Sequence, residues 1–283
     1  MSTSSQPRSN NFLGKLAGKA GAALERMTLW AGPYATLVQM LLLGLAIFSL
    51  SRAGLVAWQW GRVAATGIPF KIFVQGVRAD LILLGYFLVV PLVLAPLLAH
   101  KKTHKLWRLF TVGWATLTLI FIVFMEVSSP QFIMQFDVRP NRLFIEYLSY
   151  PHEVIATLWN GFRIALVLGV ACTILLSLFI YQLLKAASAN AVIWRPLKLL
   201  LVWPLLVALV FVQIRSTTAH RPANPALFAL TGDSMVNSLI INSPWSVLDA
   251  MNSMSKEANS SEIYGKYPRD KVIPIVKSAP WLK

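Results

Sequence analysis

The chain has 283 residues, of which 56% are hydrophobic and only 13% charged. A soluble globular chain carries about 25% charge, so water is not the main solvent of this protein. The net charge of +15 comes from 26 Lys and Arg against 11 Asp and Glu. The basic residues sit mostly between long apolar runs, which argues against nucleic acid and for anionic lipid headgroups as the partner surface.

Residues 1–11, rich in Ser, Asn and Gln, read as disordered. Residues 12–27 place Phe12, Leu16, Ala20, Leu24 and Met27 near one helical face. They suit either a short helix on the cytoplasmic membrane surface or a frayed basic tail.

A bilayer core is crossed by about 20 apolar residues in a helix. Runs free of charge, bounded by charged residues, predict spans near 34–57, 80–99, 107–127, 162–184 and 197–214. The predicted fold is therefore an all-α membrane protein. It has a cytoplasmic segment 1–33, a five-helix transmembrane domain 34–214, and an extracytoplasmic tail 215–283 of short helices and linker. The first run starts too late and runs too long for a cleaved signal peptide. Trp30, Trp58, Trp60, Trp107, Trp159 and Trp194 fall at span ends, where indole rings favour the headgroup region. Pro91, Pro96 and Pro204 lie inside spans and predict kinks, tolerated where neighbours satisfy the freed carbonyls.

Orientation follows from basic residues in short loops. With the N-terminus in the cytoplasm, Arg8, Lys15, Lys19, Arg26, Lys101, Lys102, Lys105, Arg108, Lys185, Arg195 and Lys198 lie inside. Arg62, Lys71, Arg78, Arg139, Arg142 and Arg163 lie outside. The bias predicts a multi-pass protein of the bacterial cytoplasmic membrane with its C-terminus outside. In the tail, six prolines from Pro222 to Pro280 predict short helices near 233–242 and 244–256 and an extended linker over 257–283.

Ionisable groups inside spans are costly and usually paired or functional. Arg52, Arg78, Asp80 and Glu126 map to the outer third of their spans. They fit ordinary snorkelling to the interface. They fit equally a polar pocket in which Arg52 or Arg78 holds a lipid phosphate while Asp80 and Glu126 orient the arginines. The segment 136–154 mixes Asp137, Arg139, Asn141, Arg142, Glu146 and Glu153 with aromatic residues, as in a loop lying on the membrane with its charges paired. Arg139, Asn141 and Glu146 join the headgroup candidates. His100 and His104 have helical metal-ligand spacing, but the HKKTH context is cationic and offers no carboxylate. No phosphate loop, G-x-S-x-G or H-E-x-x-H occurs, and no catalytic residue or metal site is read from the chain. Asp233 reads as a helix cap.

Three pieces carry a resemblance: R-A-D at Arg78–Asp80; F-D-V-R-P-N at Phe136–Asn141 with I-E-Y at Ile145–Tyr147; and N-S-L-I-I-N-S-P at Asn237–Pro244. In this order, over roughly residues 34–270, the chain resembles the membrane domain of lipoteichoic-acid-synthase-like proteins. These are relatives of bacterial phosphoglycerol and phosphoethanolamine transferases. The resemblance implies five membrane helices, an extracytoplasmic linker and then a sulfatase-like catalytic domain that moves phosphoglycerol from phosphatidylglycerol. The sequence ends at Lys283, where that domain is expected to begin. No nucleophile or metal ligand is carried over, and manganese is expected only in that further domain. The expected role is that of a membrane-anchoring and lipid-presenting domain, with phosphatidylglycerol and a separate or downstream catalytic domain as partners. The alternative is a non-enzymatic membrane protein that binds anionic lipid and regulates a partner through its outer tail.

Overall fold

The structure, a computed structural model, describes residues 26–189, 191–218, 220, 223–263 and 269–278. Among these, five helices are long and apolar enough to cross a membrane. The first runs from Arg26 to Trp58; a 3-10 turn at Gly32–Tyr34 precedes its main part, α1 (Ala35–Trp58). After α2 (Trp60–Ala65) come α3 (Pro69–Leu98) and α4 (His104–Phe136). The short helices α5 (Arg142–Leu148) and α6 (Pro151–Gly161) lead to α7 (Arg163–Ala189) and α8 (Pro196–Arg215). Beyond the spans lie a 3-10 turn at Pro225–Phe228, then α9 (Ser234–Ile240), α10 (Ser243–Ile263) and α11 (Arg269–Ser278). The protein is an all-α membrane bundle.

Helices α1, α3 and α4 pack against one another and form the centre; α8 lies against α3, and α7 against α4. Small residues set the closest approach. A methyl group on Gly44 of α1 would stand 2.6 Å from Leu84 Cδ2 of α3. The outer helices α7 and α8 bury little of their surface, and their exposed leucines and valines suit hydrocarbon as solvent.

The prolines of α3 show how a membrane helix carries such residues. Pro91 and Pro96 have no N–H for the carbonyls four residues before them. Trp114 Nε1 of α4 donates to the Phe87 carbonyl at 2.9 Å, and Trp203 Nε1 of α8 donates to the Leu92 carbonyl at 2.7 Å. Both freed carbonyls are thus taken by indoles of neighbouring helices, and α3 continues through both prolines.

Several boundaries differ from the sequence reading. The second span begins at Pro69 rather than near 80, and the third continues to Phe136 rather than 127. Charge marked those limits, yet Asp80 and Glu126 lie inside their helices because each is paired there. Trp107 is no interfacial anchor. It is 2% exposed and donates to the Pro33 carbonyl at 2.8 Å. The segment 136–154, expected to be a loop, forms α5 and the start of α6. In the tail, α10 reaches Ile263 and α11 follows, where an extended linker was expected. Pro274 lies inside α11, and Pro244 occupies the first turn of α10, where its missing N–H costs nothing. The surface helix expected over 12–27 lies almost wholly outside the described residues.

Candidate functional site

The candidate site forms at the end of the bundle where α1 and α4 finish and α3 begins. Arg52 lies near the end of α1, Asp80 one-third of the way along α3, and Glu126 in the last third of α4. The helices converge there, and all three side chains are buried. Arg52 meets Asp80 through two parallel bonds, Nη1 to Oδ2 and Nη2 to Oδ1, each 2.8 Å, with neither side chain exposed. Gly76 makes room for this. A methyl group there would fall 2.3 Å from Arg52 Cζ, so the guanidinium rests against the α3 backbone one turn before Asp80.

Arg139 follows α4 after a chain reversal. Asp137 ends α4 in the left-handed region at φ 54°, which a short polar side chain tolerates. The reversal turns Arg139 back under Glu126, where Nη1 donates to Oε1 at 3.2 Å. Ser51 Oγ donates to the other Glu126 oxygen. Two buried arginines and two buried carboxylates therefore stand side by side, with no formal net charge.

This lattice grips the junction between α9 and α10. The last carbonyls of a helix and the first N–H groups of the next lack intrahelical partners. Arg52 Nε donates to the Leu239 carbonyl at 3.1 Å and Nη2 to the Ile240 carbonyl at 3.2 Å. Arg139 Nη1 donates to the Ile241 carbonyl at 3.2 Å. Three successive carbonyls at the negative end of α9 thus receive cations. On the other side of the junction, the Ser243 N–H donates to Glu126 Oε1 at 3.2 Å, placing an anion at the positive end of α10. Asn242 joins the halves. Its Nδ2 donates to Asp80 Oδ1 at 3.1 Å, while its Oδ1 accepts from the Trp245 N–H at 3.0 Å, as a helix cap does. Ser129 and Ser243 hydroxyls share a 2.6 Å bond. Around this polar knot the apolar face of α9, Met235, Val236, Leu239 and Ile240, is fully buried in the common core.

The other sequence candidates lie elsewhere. Arg78 closes the end of α8: its Nε donates to Ser216 Oγ at 2.9 Å and its Nη2 to the Ser216 carbonyl, with Phe228 beneath the guanidinium. Asn141 caps α5 by accepting from the Leu143 N–H. Glu146 is exposed and pairs with Arg142, which also holds Glu257 of α10. The structure thus unites Arg52, Asp80, Glu126 and Arg139 and leaves Arg78, Asn141 and Glu146 outside the lattice.

The sequence reading missed Ser51, Gly76, Ser129, Asn242 and Ser243 as contributors. Only the last two had a signal, the N-S-P that opens α10. It also missed Arg62, counted there only as a loop cation. Arg62 binds Asp233 through two bonds of 2.9 and 2.8 Å and Asp137 through two more. These bonds raise the Arg62 pKa, Asp137 contributing most, and Arg62 holds Asp233 below its ordinary value. Asp233 also caps α9, accepting from the Met235 and Val236 N–H groups.

Among the described residues, no group of three or more His, Cys, Asp or Glu is placed to hold a metal ion. No family model matches the chain, and no solved structure matches it.

Proposed function

We propose that this chain is the membrane-anchoring and lipid-presenting domain of a lipoteichoic-acid-synthase-like phosphoglycerol transferase. It sits in a bacterial cytoplasmic membrane with its N-terminus inside and the α9–α10 junction outside. The observation that carries the reading is the buried lattice that seats this junction on the bundle. Four desolvated charges in a membrane bundle are costly, and here they fix the direction in which the chain leaves the bilayer. A sulfatase-like catalytic domain, in the same chain or another, needs such a fixed exit to meet lipid headgroups at constant height. Phosphatidylglycerol suits the strongly basic chain, and manganese belongs to the catalytic domain.

The test is lipid retention. The full chain is extracted from membranes of mixed phosphatidylethanolamine and phosphatidylglycerol, and its co-purifying lipids are quantified by native mass spectrometry. Phosphatidylglycerol is expected well above its share of the bulk membrane. Retention in the bulk proportion would contradict the lipid-presenting role.

A further inference from the structure

Neither α5 nor α6 buries a residue. Leu148, Tyr150, Ile155 and Trp159 are 62%, 63%, 62% and 48% exposed. Large apolar side chains exposed together mark a surface that meets something other than water. Along α6 the residues sort by face. Ile155 and Trp159 stand one turn apart on one side, while Glu153, Thr157 and Asn160 recur at helical spacing on the other. Val154 and Leu158, both half-buried, flank the apolar side.

The chain itself fixes the height of this surface. Only Phe162 separates α6 from Arg163, the first residue of the α7 span. The Arg163 guanidinium lies 4.9 Å from the centre of the Trp159 ring, a cation–π contact. The end of α6 therefore stands at the level where α7 enters the membrane. Ile164, at the start of α7, is 77% exposed at that same level. Tyrosine and tryptophan favour this level, because each has an apolar ring and a polar edge. Charge selects nothing here. Between residues 142 and 163 the charged side chains are Arg142, Glu146, Glu153 and Arg163, which cancel, and Arg142 pairs with Glu146 at 2.8 Å.

We infer that α5 and α6 form an interfacial platform. They lie in the leaflet at this end of the bundle, with Leu148, Tyr150, Ile155 and Trp159 at the boundary between headgroups and acyl chains. The partner is a lipid surface recognised by apolar contact, not by headgroup charge. The polar side of α6, with Glu153, Thr157 and Asn160, faces water. The platform also carries the tail. Arg142 holds Glu257 of α10 at 3.0 Å, and α10 packs on α5, so the leaflet sets the height of α10.

The test measures depth in the full chain in nanodiscs. Cys172, the one cysteine of the chain, is replaced by serine. Ile155→Cys and Glu153→Cys then carry a nitroxide label one at a time. Leu148→Cys and Asn160→Cys repeat the comparison. All four positions are exposed, so melting of the labelled chains is expected to stay near wild type. Oxygen concentrates in hydrocarbon and a nickel chelate in water, and the ratio of their collisions with the label reports depth. Labels at 155 and 148 are expected about 5–10 Å into the headgroup–acyl boundary, and those at 153 and 160 in water. The depths are expected to be the same in phosphatidylcholine alone and with phosphatidylglycerol added. Water contact at 155 and 148 equal to that at 153 and 160 assigns the face to a protein partner and overturns the platform. Insertion that needs phosphatidylglycerol overturns it as well, because charge then selects the lipid. The readout is depth rather than lipid retention, so either failure is distinct from failure of the lipid-presenting role.

Discussion

Two arginines tie the same short helix to the bundle under opposite conditions. Arg52 grips the end of α9 from inside, fully buried, through Asp80 and two backbone carbonyls. Arg62 grips its start from outside, through Asp137 and Asp233, with side chains 39%, 61% and 26% exposed. Each guanidinium makes four hydrogen bonds. They differ in what replaces a lost bond. Around Arg62 water enters; around Arg52 nothing does. Equal bond counts therefore carry unequal energies, and burial decides which arginine holds the tail in place.

The largest expected effect comes from breaking the buried side. Asp80→Ala leaves the Arg52 charge without its partner in a dry site, a change that costs about 3–5 kcal/mol. Unfolding in detergent is expected to show that loss together with faster proteolysis of α10. Next comes Gly76→Ala. Its methyl group collides with the Arg52 guanidinium, and overpacking of this kind costs about 1–3 kcal/mol. The same substitution at Gly113, where a methyl group meets nothing within 4 Å, is expected to be neutral or slightly stabilising, which separates the collision from any general effect of helix glycines.

The exposed side yields smaller changes. Arg62→Ala is expected to cost at most about 1 kcal/mol, in the range of surface ion pairs, and the loss shrinks at high salt. A cost equal to that of Asp80→Ala would erase the contrast between the two sides. The exposed side also carries a pH signature. Arg62 holds the folded-state pKa of Asp233 below the ordinary value of 3.8. The stabilisation is therefore fully present above that value and fades as pH falls through the lower folded-state value. Melting of the wild type is expected to drop more steeply than that of Asp233→Asn below about pH 3.8. The two are expected to run parallel between pH 5 and 8, well above both values.

The spans were legible because hydrocarbon imposes one rule on every crossing segment, long apolar runs. Asp80 and Glu126 broke that rule and were therefore visible as odd residues, but the sequence marked them as ends of spans. Their partners lie 28 and 13 positions away, and no local pattern shows such pairing. Arg139 was visible only as one cation among several in a polar stretch. What set it apart was the left-handed turn at Asp137, a conformation that Asp permits but does not announce. Gly76 and Asn242 were silent for the same reason: one matters through a guanidinium from another helix, the other through a carboxylate on α3. The tail was expected to be an extended linker from 257 onward because prolines count as breakers, yet α10 runs on to Ile263 and Pro274 lies inside α11.

Hydrogen exchange at the α9–α10 junction tests the central claim most directly. Mass spectrometry of a peptide spanning residues 234–248, in the full chain in nanodiscs, follows amides next to the lattice. In the wild type, exchange is expected to be as slow as in the middle of α4, and Arg52→Gln is expected to accelerate it far more than Arg62→Gln. Rapid exchange in the wild type, or equal acceleration by the two substitutions, would show that the buried charges do not hold the tail.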